Sequence, residues 1–207
     1  DSETPWLTSE AIAFMQSRKE KPDQNWCAHV SYIKPHWPYI APAPYHALYD
    51  SATIQPPSRS ELEKETAHPI YAAYQRENMS TGFANEAMRA RVIPAYMGLV
   101  KQVDDQIGRL LSFLEARGEL EQTMILFTSD HGDYLGDHWL GDKTFIHETA
   151  VRVPLIVVDP RPEADGTRGT ACETIVETID ILPTFVEAVG GTPDNRQDGR
   201  SLLPLLH

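Results

Sequence analysis

Asp130 and His131 are adjacent residues whose side chains could together bind a divalent metal ion. A carboxylate oxygen and an imidazole nitrogen suit an ion that takes mixed ligands. Both follow the apolar run 124–127, so we expect them at the carboxyl end of a buried strand, where open α/β sheets bind ligands. Lys143 adds a positive charge a short way downstream. The alternative is a polar loop without a ligand, but strand placement, ligand types and a nearby cation seldom coincide by composition alone.

His36 is a second candidate, held on a loop flanked by Pro35 and Pro38. The preceding segment, 26–33, alternates like a strand, and the prolines prevent further regular pairing. A histidine beside prolines is more often a turn residue than a catalytic one. Its position after a second predicted strand keeps a catalytic role open.

Strand and helix patterns alternate along the chain, which is typical of α/β proteins. Apolar runs and turn signals predict strands over 26–33, 124–129 and 154–158. Apolar residues at helical spacing predict helices over 95–117 and 175–189. We therefore expect an α/β fold with a mainly parallel sheet flanked by helices, and an incomplete one if neighbouring strands lie outside the chain.

Shorter segments give weaker signals of helix. Thr8 reads as the start of a helix, and another is weakly indicated over 62–76. Asn85 can cap a helix that runs through Arg91, with Pro94 marking a kink or a fresh start.

The charge balance limits the classes of partner. A net charge of −12 argues against a nucleic-acid backbone or an anionic membrane as the main partner, because both would be repelled. The sequence has no apolar run near the roughly 18 residues that a membrane span needs, and no signal-like amino terminus. Because the first residues resemble the interior of a longer protein, the compartment stays open, with the cytoplasm weakly favoured.

The two cysteines fit neither a zinc pattern nor a disulfide framework. Cys27 lies in an alternating segment and is predicted to be a buried thiol, whereas Cys172 is predicted to be semi-exposed and inert. Glu148 and Arg152 are four residues apart, so we expect an ion pair across one helical turn that supports the Lys143 loop.

Several motifs together resemble the sulfatase family of the alkaline phosphatase superfamily. They are Ser-Asp-His-Gly at 129–132, Leu-Gly-Asp-His at 135–138, Arg-Val-Pro-Leu-Ile at 152–156, Lys-Pro-His-Trp-Pro-Tyr at 34–39 and Asp-Gly-Arg-Ser-Leu at 198–202. The histidine loop and the Gly-Asp-His-Trp run are similar to the phosphonate monoester hydrolase and phosphodiesterase branch. The resemblance covers nearly the whole chain, so residues 1–207 correspond to the central and late part of a sulfatase-like hydrolase domain with an alkaline-phosphatase-like fold.

The resemblance implies roles for individual residues. Asp130 and His131 would be metal ligands, while His36 and Lys143 would hold the transferred group and assist the leaving oxygen. His138 and Arg152 would lie in the shell around the ligands. A histidine beside the aspartate, where many calcium-dependent sulfatases carry asparagine, favours manganese, zinc or iron over calcium, although some sulfatases also carry Asp-His.

One departure from the family pattern concerns the nucleophile. Family members mature a cysteine or serine, in a Cys/Ser-x-Pro/Ala-x-Arg setting, to formylglycine, and neither Cys27 nor Cys172 has that setting. We expect the formylglycine, and further aspartate ligands, on a segment outside this chain. The chain alone is therefore predicted to be inactive and to bind metal poorly, because about two ligands rarely hold a divalent ion.

Three functions remain open at this point. The leading hypothesis is a fragment of a metal-dependent hydrolase of phosphonate monoesters or phosphate diesters, with a small anionic ester as substrate and overlapping sulfatase activity. The second is a true sulfatase that acts on an aryl, choline or carbohydrate sulfate. The third is a degenerate domain that binds a partner without catalysis. If neighbouring strands lie outside the chain, its exposed sheet edge and apolar face favour oligomerisation or aggregation. We also expect a homo-oligomer in the full-length protein.

Overall fold

The computed structural model of this protein describes residues 2–18 and 24–207. The chain forms two units, each built from two stretches of sequence. The large unit comprises Asp1–Leu120 and His131–Arg152, and the small unit comprises Glu121–Asp130 and Val153–His207.

The large unit is helical where it has regular structure. Its helices are α1 Glu3–Ser17, α2 Glu61–Glu65, α3 Pro69–Tyr74, α4 Asn78–Ala84, α5 Glu86–Ala116 and α6 Glu148–Val151. Helices α1 and α5 pack against each other, and α4 packs on α5. Among the described residues, no helix combines the length and the apolar character required to cross a bilayer.

Helix α5 is longer than the predicted segment 95–117, because it also includes the helix that was predicted separately from Asn85 through Arg91. The side chain of Asn85 accepts hydrogen bonds from the backbone N–H groups of Ala87 and Met88, at 2.9 and 3.2 Å. The helix then continues through Pro94, which is buried. Packing of the helix against its neighbours offsets the hydrogen bond that proline cannot donate, so the expected fresh start is absent.

Two other helical predictions differ from the structure in their bounds. Helix α1 begins before Thr8, whose hydroxyl donates to the Thr4 carbonyl inside the helix at 3.1 Å. The segment 62–76 divides into α2 and α3 because His68 precedes a proline and takes an extended ψ of 141°. The His68 side chain instead caps α3 by accepting from Ile70 N–H at 3.3 Å.

The small unit contains a two-stranded sheet and two helices. Strand β1, Ile125–Thr128, pairs with strand β2, Leu155–Val158, so that Ile125 lies opposite Val158. Helices α7, Ile181–Ala188, and α8, Leu203–Leu206, follow. The predicted helix over 175–189 is thus shorter, because a 3₁₀ turn at Thr178–Asp180 precedes α7.

The strand pairing differs from the prediction in two respects. Strands β1 and β2 are antiparallel, because the chain between them holds no long crossover helix of the kind that joins parallel strands. The segment 26–33 forms no strand, since it has no ladder partner among the described residues. The prediction of a buried Cys27 was consequently wrong: its side chain is exposed, as is that of Cys172.

Candidate active site

The structure brings His36 and Lys143 together in the large unit, although they are 107 residues apart. Lys143 Nζ lies 2.8 Å from His36 Nε2. The other ring nitrogen, Nδ1, lies 3.0 Å from the carbonyl oxygen of Trp37, which can only accept. Nδ1 therefore carries the proton in the neutral ring, and Nε2 accepts from the Lys143 ammonium. The Lys143 ammonium, which also lies 3.8 Å from Asp142 Oδ1, places a positive charge beside the imidazole where an anion could bind.

The loop that carries His36 is closed by its own hydrogen bonds. Lys34 Nζ donates to the carbonyls of Pro38 at 2.9 Å and of His36 at 3.3 Å. The His36 backbone N–H donates to the carbonyl of Ile33 at 3.0 Å. The positive charge of Lys34 is thus directed at backbone oxygens of this loop, and Lys143 supplies the cation beside the imidazole.

His131 stands near His36, with the two ring centroids 5.8 Å apart at 74°. Its Nδ1 lies 2.7 Å from the carbonyl oxygen of Gly132, so Nδ1 is the donor and the ring lone pair is on Nε2. Histidines that bind metals commonly donate their second N–H to a backbone carbonyl in this way. The side chain of His131 therefore fits a metal ligand that coordinates through Nε2.

Asp130, the other predicted ligand, is the last residue of its stretch in the small unit, and its side chain is exposed. Across residues 2–18 and 24–207, no three or more His, Cys, Asp and Glu side chains are grouped to hold a metal ion. The roles of Asp130 and His131 as metal ligands stay predictions, and two donors are too few to complete a divalent metal site.

Residues 131–143, called the 131–143 loop, fold back on themselves and so position Lys143. The Tyr134 N–H donates to the carbonyl of Asp142 at 2.9 Å, and the Gly136 N–H donates to the carbonyl of Leu140 at 2.9 Å. The side chains of Tyr134 and Leu140 are both buried in the core of the large unit. Backbone hydrogen bonds and core packing together fix this loop.

Gly132 lies where the 131–143 loop passes close to α6. Its N–H donates to the carbonyl of Ala150 at 2.7 Å, and a Cβ added at Gly132 would stand 2.0 Å from the Thr149 carbonyl oxygen.

We expect Gly132→Ala to lower the free energy of unfolding by about 3 kcal/mol, because the added Cβ would meet a backbone atom that cannot rotate away. Gly108→Ala is the matched control: its Cβ meets nothing within 4 Å in helix α5, and it should stabilise by up to about 1 kcal/mol. Urea unfolding measures both, and an unchanged Gly132→Ala protein would contradict the close approach.

His138 anchors the 131–143 loop to the segment that contains α2. Its Nδ1 lies 2.9 Å from Glu63 Oε1, and its backbone N–H donates to the Ser58 carbonyl at 2.8 Å. Burial raises the pKa of Glu63, but hydrogen bonds from Ser60 N–H and from His138 outweigh it and lower that pKa overall. The predicted place of His138 around the metal ligands stays a prediction; the observed contacts are those of a loop anchor.

His147 stacks on His138, with ring centroids 4.1 Å apart and planes 17° apart. Its Nδ1 also lies 2.8 Å from the hydroxyl of Tyr134. Burial, and then the charge that His138 can carry, lower the pKa of His147, while Glu63 partly opposes this. The lowered pKa favours the neutral form of the His147 ring in this stack.

Arg152 forms the ion pair with Glu148 that the sequence predicts, with Arg152 Nη1 3.6 Å from Glu148 Oε2. Each side chain is 80% exposed, and a solvated pair of this kind contributes little to stability. The expected support of the Lys143 loop by this pair, and the expected place of Arg152 around the metal ligands, stay predictions.

Tyr39 and Asp133 are contact residues that the sequence reasoning missed. Tyr39 Oη donates to Asp133 Oδ2 at 2.6 Å. Burial raises the pKa of both groups; for Tyr39 the neighbouring carboxylate raises it further, whereas the hydrogen bond lowers that of Asp133. Their proximity in sequence to candidate site residues could have indicated them: Tyr39 lies three residues after His36, and Asp133 lies two residues after His131.

Comparison with known proteins assigns the family. The family model described as Sulfatase matches residues 5–191. The chain belongs to the sulfatase family. The sulfatase-family chain is 34% identical to the multifunctional alkaline phosphatase superfamily protein PehA of Trinickia caryophylli over 99% of its residues, and 30% identical to an arylsulfatase of Clostridium perfringens over 98%. It spans 41% of the length of each relative.

Solved structures agree with this assignment. A phosphonate monoester hydrolase from Silicibacter pomeroyi superposes with a TM-score of 0.87 at 34% identity, covering 99% of this chain and 41% of that one. A phosphonate monoester hydrolase of Agrobacterium radiobacter gives 0.87 at 28% identity, over 99% and 42%. The predicted family and the predicted alkaline-phosphatase-like α/β fold, incomplete in this chain, are confirmed. Members of this superfamily are metal-dependent hydrolases.

Proposed function

We propose that the protein containing this chain is a metal-dependent hydrolase of phosphonate monoesters or phosphate diesters. The observation that carries the proposal is the 2.8 Å contact between Lys143 Nζ and His36 Nε2, with His131 beside them. A small anionic ester is the substrate that such a site would hold. The similarity to PehA and to two phosphonate monoester hydrolases supports this substrate class.

In this proposal Lys143 and His36 have different tasks. Lys143 places its ammonium charge beside the oxygens of the transferred group and offsets the charge that develops there. His36 Nε2 is the ring atom that faces Lys143. In the protonated ring, Nε2–H would donate to the departing oxygen, while Nδ1–H stays on the Trp37 carbonyl and fixes the ring orientation.

The metal would be held in part by Asp130 and by His131 through Nε2. When bound, a divalent ion acts as a Lewis acid that polarises the ester. The donor set favours manganese, zinc or iron over calcium. The formylglycine nucleophile is assigned to residues outside this chain, so the 207-residue chain alone should bind metal poorly and be inactive.

A true sulfatase is the second candidate. It is favoured by the 30% identity to the arylsulfatase of Clostridium perfringens and the 29% identity to a choline-sulfatase of Rhizobium meliloti. Sulfate and phosphonate esters present similar anionic oxygens, and the contact between His36 and Lys143 serves either. The expected homo-oligomer stays a prediction for the whole protein.

The rates of hydrolysis of three substrates distinguish the two candidates. They are measured with the whole protein that contains these residues. We expect kcat/KM for p-nitrophenyl phenylphosphonate and bis-p-nitrophenyl phosphate to exceed that for p-nitrophenyl sulfate by at least about tenfold, a difference of about 1.4 kcal/mol. The reverse order would assign a sulfatase. No hydrolysis of any ester would favour the degenerate binding domain. The 207-residue chain by itself should show no saturable hydrolysis.

A further inference from the structure

We propose that Tyr39 and Asp133 are positioning residues that set the place of His36 relative to Lys143, an inference that rests on the proposed function. Both side chains act through the loops that carry the His36–Lys143 pair. The hydrogen bond from Tyr39 Oη to Asp133 Oδ2 is 2.6 Å long and joins the His36 loop to the 131–143 loop.

The carboxylate of Asp133 is the centre of this arrangement. It accepts from Leu135 N–H at 3.1 Å and from the backbone of Asp142, the residue before Lys143. Together with Tyr39, these partners come from the His36 loop and from both arms of the 131–143 loop. One half-buried carboxylate therefore fixes the three stretches that carry His36, His131 and Lys143.

The ring of Tyr39 is held independently of its hydroxyl. It makes edge-to-face contacts with Phe83 in α4, at 5.8 Å between centroids, and with Tyr96 in α5, at 6.1 Å. Helices α4 and α5 thus provide a rigid base for the ring. Tyr39→Phe should keep this packing and remove only the donor to Asp133.

Loss of that donor should cost activity through geometry. A half-buried carboxylate depends on its donors, and without Tyr39 Oη the Asp133 side chain can turn toward its backbone partners alone. The His36 loop then loses its direct hydrogen bond to the 131–143 loop. Because a displacement of about 1 Å at a catalytic pair can cost about a hundredfold in rate, we expect Tyr39→Phe to lower kcat about thirtyfold with KM changed less than about threefold.

A double-mutant cycle separates positioning from general stability. Tyr39→Phe is made in the whole protein and again in a His36→Ala background, where its effect should fall to less than about threefold because there is no imidazole left to position. Tyr45→Phe is the matched control: it also removes a hydroxyl that donates to a carboxylate, Asp105, at 2.9 Å in the large unit. Tyr45→Phe should leave kcat unchanged.

The outcomes are distinguishable. Equal losses from Tyr39→Phe in both backgrounds, or a loss no greater than that from Tyr45→Phe, would overturn the positioning role. If His36→Ala leaves kcat unchanged, the proposed function is wrong. The positioning role is then tested by crystal structures instead. There, Tyr39→Phe should lengthen the distance from His36 Nε2 to Lys143 Nζ beyond about 3.5 Å, the limit of a hydrogen bond, while Tyr45→Phe keeps it. Retention of the contact in Tyr39→Phe would overturn the proposal.

Discussion

Lys143→Ala is expected to lower kcat/KM for ester hydrolysis roughly a thousandfold, the loss found when one preorganised donor to a developing negative charge is removed. The ammonium of Lys143 is 2.8 Å from His36 Nε2, so its removal takes away a charge from the substrate oxygens and a partner from the imidazole. Most of the loss should appear in kcat, because the charge it offsets is largest in the transition state.

Lys101→Ala is the matched control for this measurement. Lys101 also lies in the large unit and pairs with two carboxylates, Asp104 at 3.1 Å and Asp105 at 2.5 Å, but on helix α5. Its removal should leave kcat/KM within about twofold, as surface ion pairs contribute little. A Lys143→Ala enzyme that retains more than about a tenth of the activity would contradict the role proposed for Lys143.

Removal of the metal is expected to abolish hydrolysis, and His131→Ala is expected to weaken metal affinity by at least about a hundredfold. Loss of the imidazole removes the Nε2 lone pair that the Gly132 carbonyl orients. Metal content by elemental analysis and activity after reconstitution measure both effects. Manganese, zinc or iron should restore activity better than calcium, because an imidazole ligand suits the transition metals.

His46→Ala is the matched control for the metal measurement, because His46 is an exposed histidine of the same unit in a 3₁₀ turn. It should keep the full metal content. Two results would count against Asp130 and His131 as ligands: full activity after exhaustive chelation, and unchanged metal affinity in His131→Ala.

Local patterns explain which parts of the fold could be predicted. The strand over 124–129 and the cap at Asn85 depend on neighbours in sequence, and the structure has β1 at Ile125–Thr128 and the Asn85 cap. The prediction of a strand over 26–33 was wrong, because a strand also needs a hydrogen-bonded partner, which a sequence pattern alone does not supply. The bounds of α5 were missed for the same reason: packing carries the helix through Pro94.

The candidate site shows the same division. The family motifs identified His36 and Lys143 as residues of interest, and the structure places them in contact across 107 residues of sequence. The hydrogen bond between Tyr39 and Asp133 joins residues 94 apart, and neither residue type at its position indicates a partner so distant. Contacts of this range are set by the packing of loops on helices, here by Phe83 and Tyr96 under the Tyr39 ring.

The most direct test of the central claim is a crystal structure of the whole protein with phenylphosphonate, recorded with anomalous diffraction at the edge of the bound metal. The account predicts one anomalous peak about 2.0–2.2 Å from an Asp130 oxygen and from His131 Nε2. It also predicts phosphonate oxygens within about 3 Å of Lys143 Nζ and His36 Nε2. A metal bound elsewhere, or a phosphonate that contacts neither Lys143 nor His36, would contradict it.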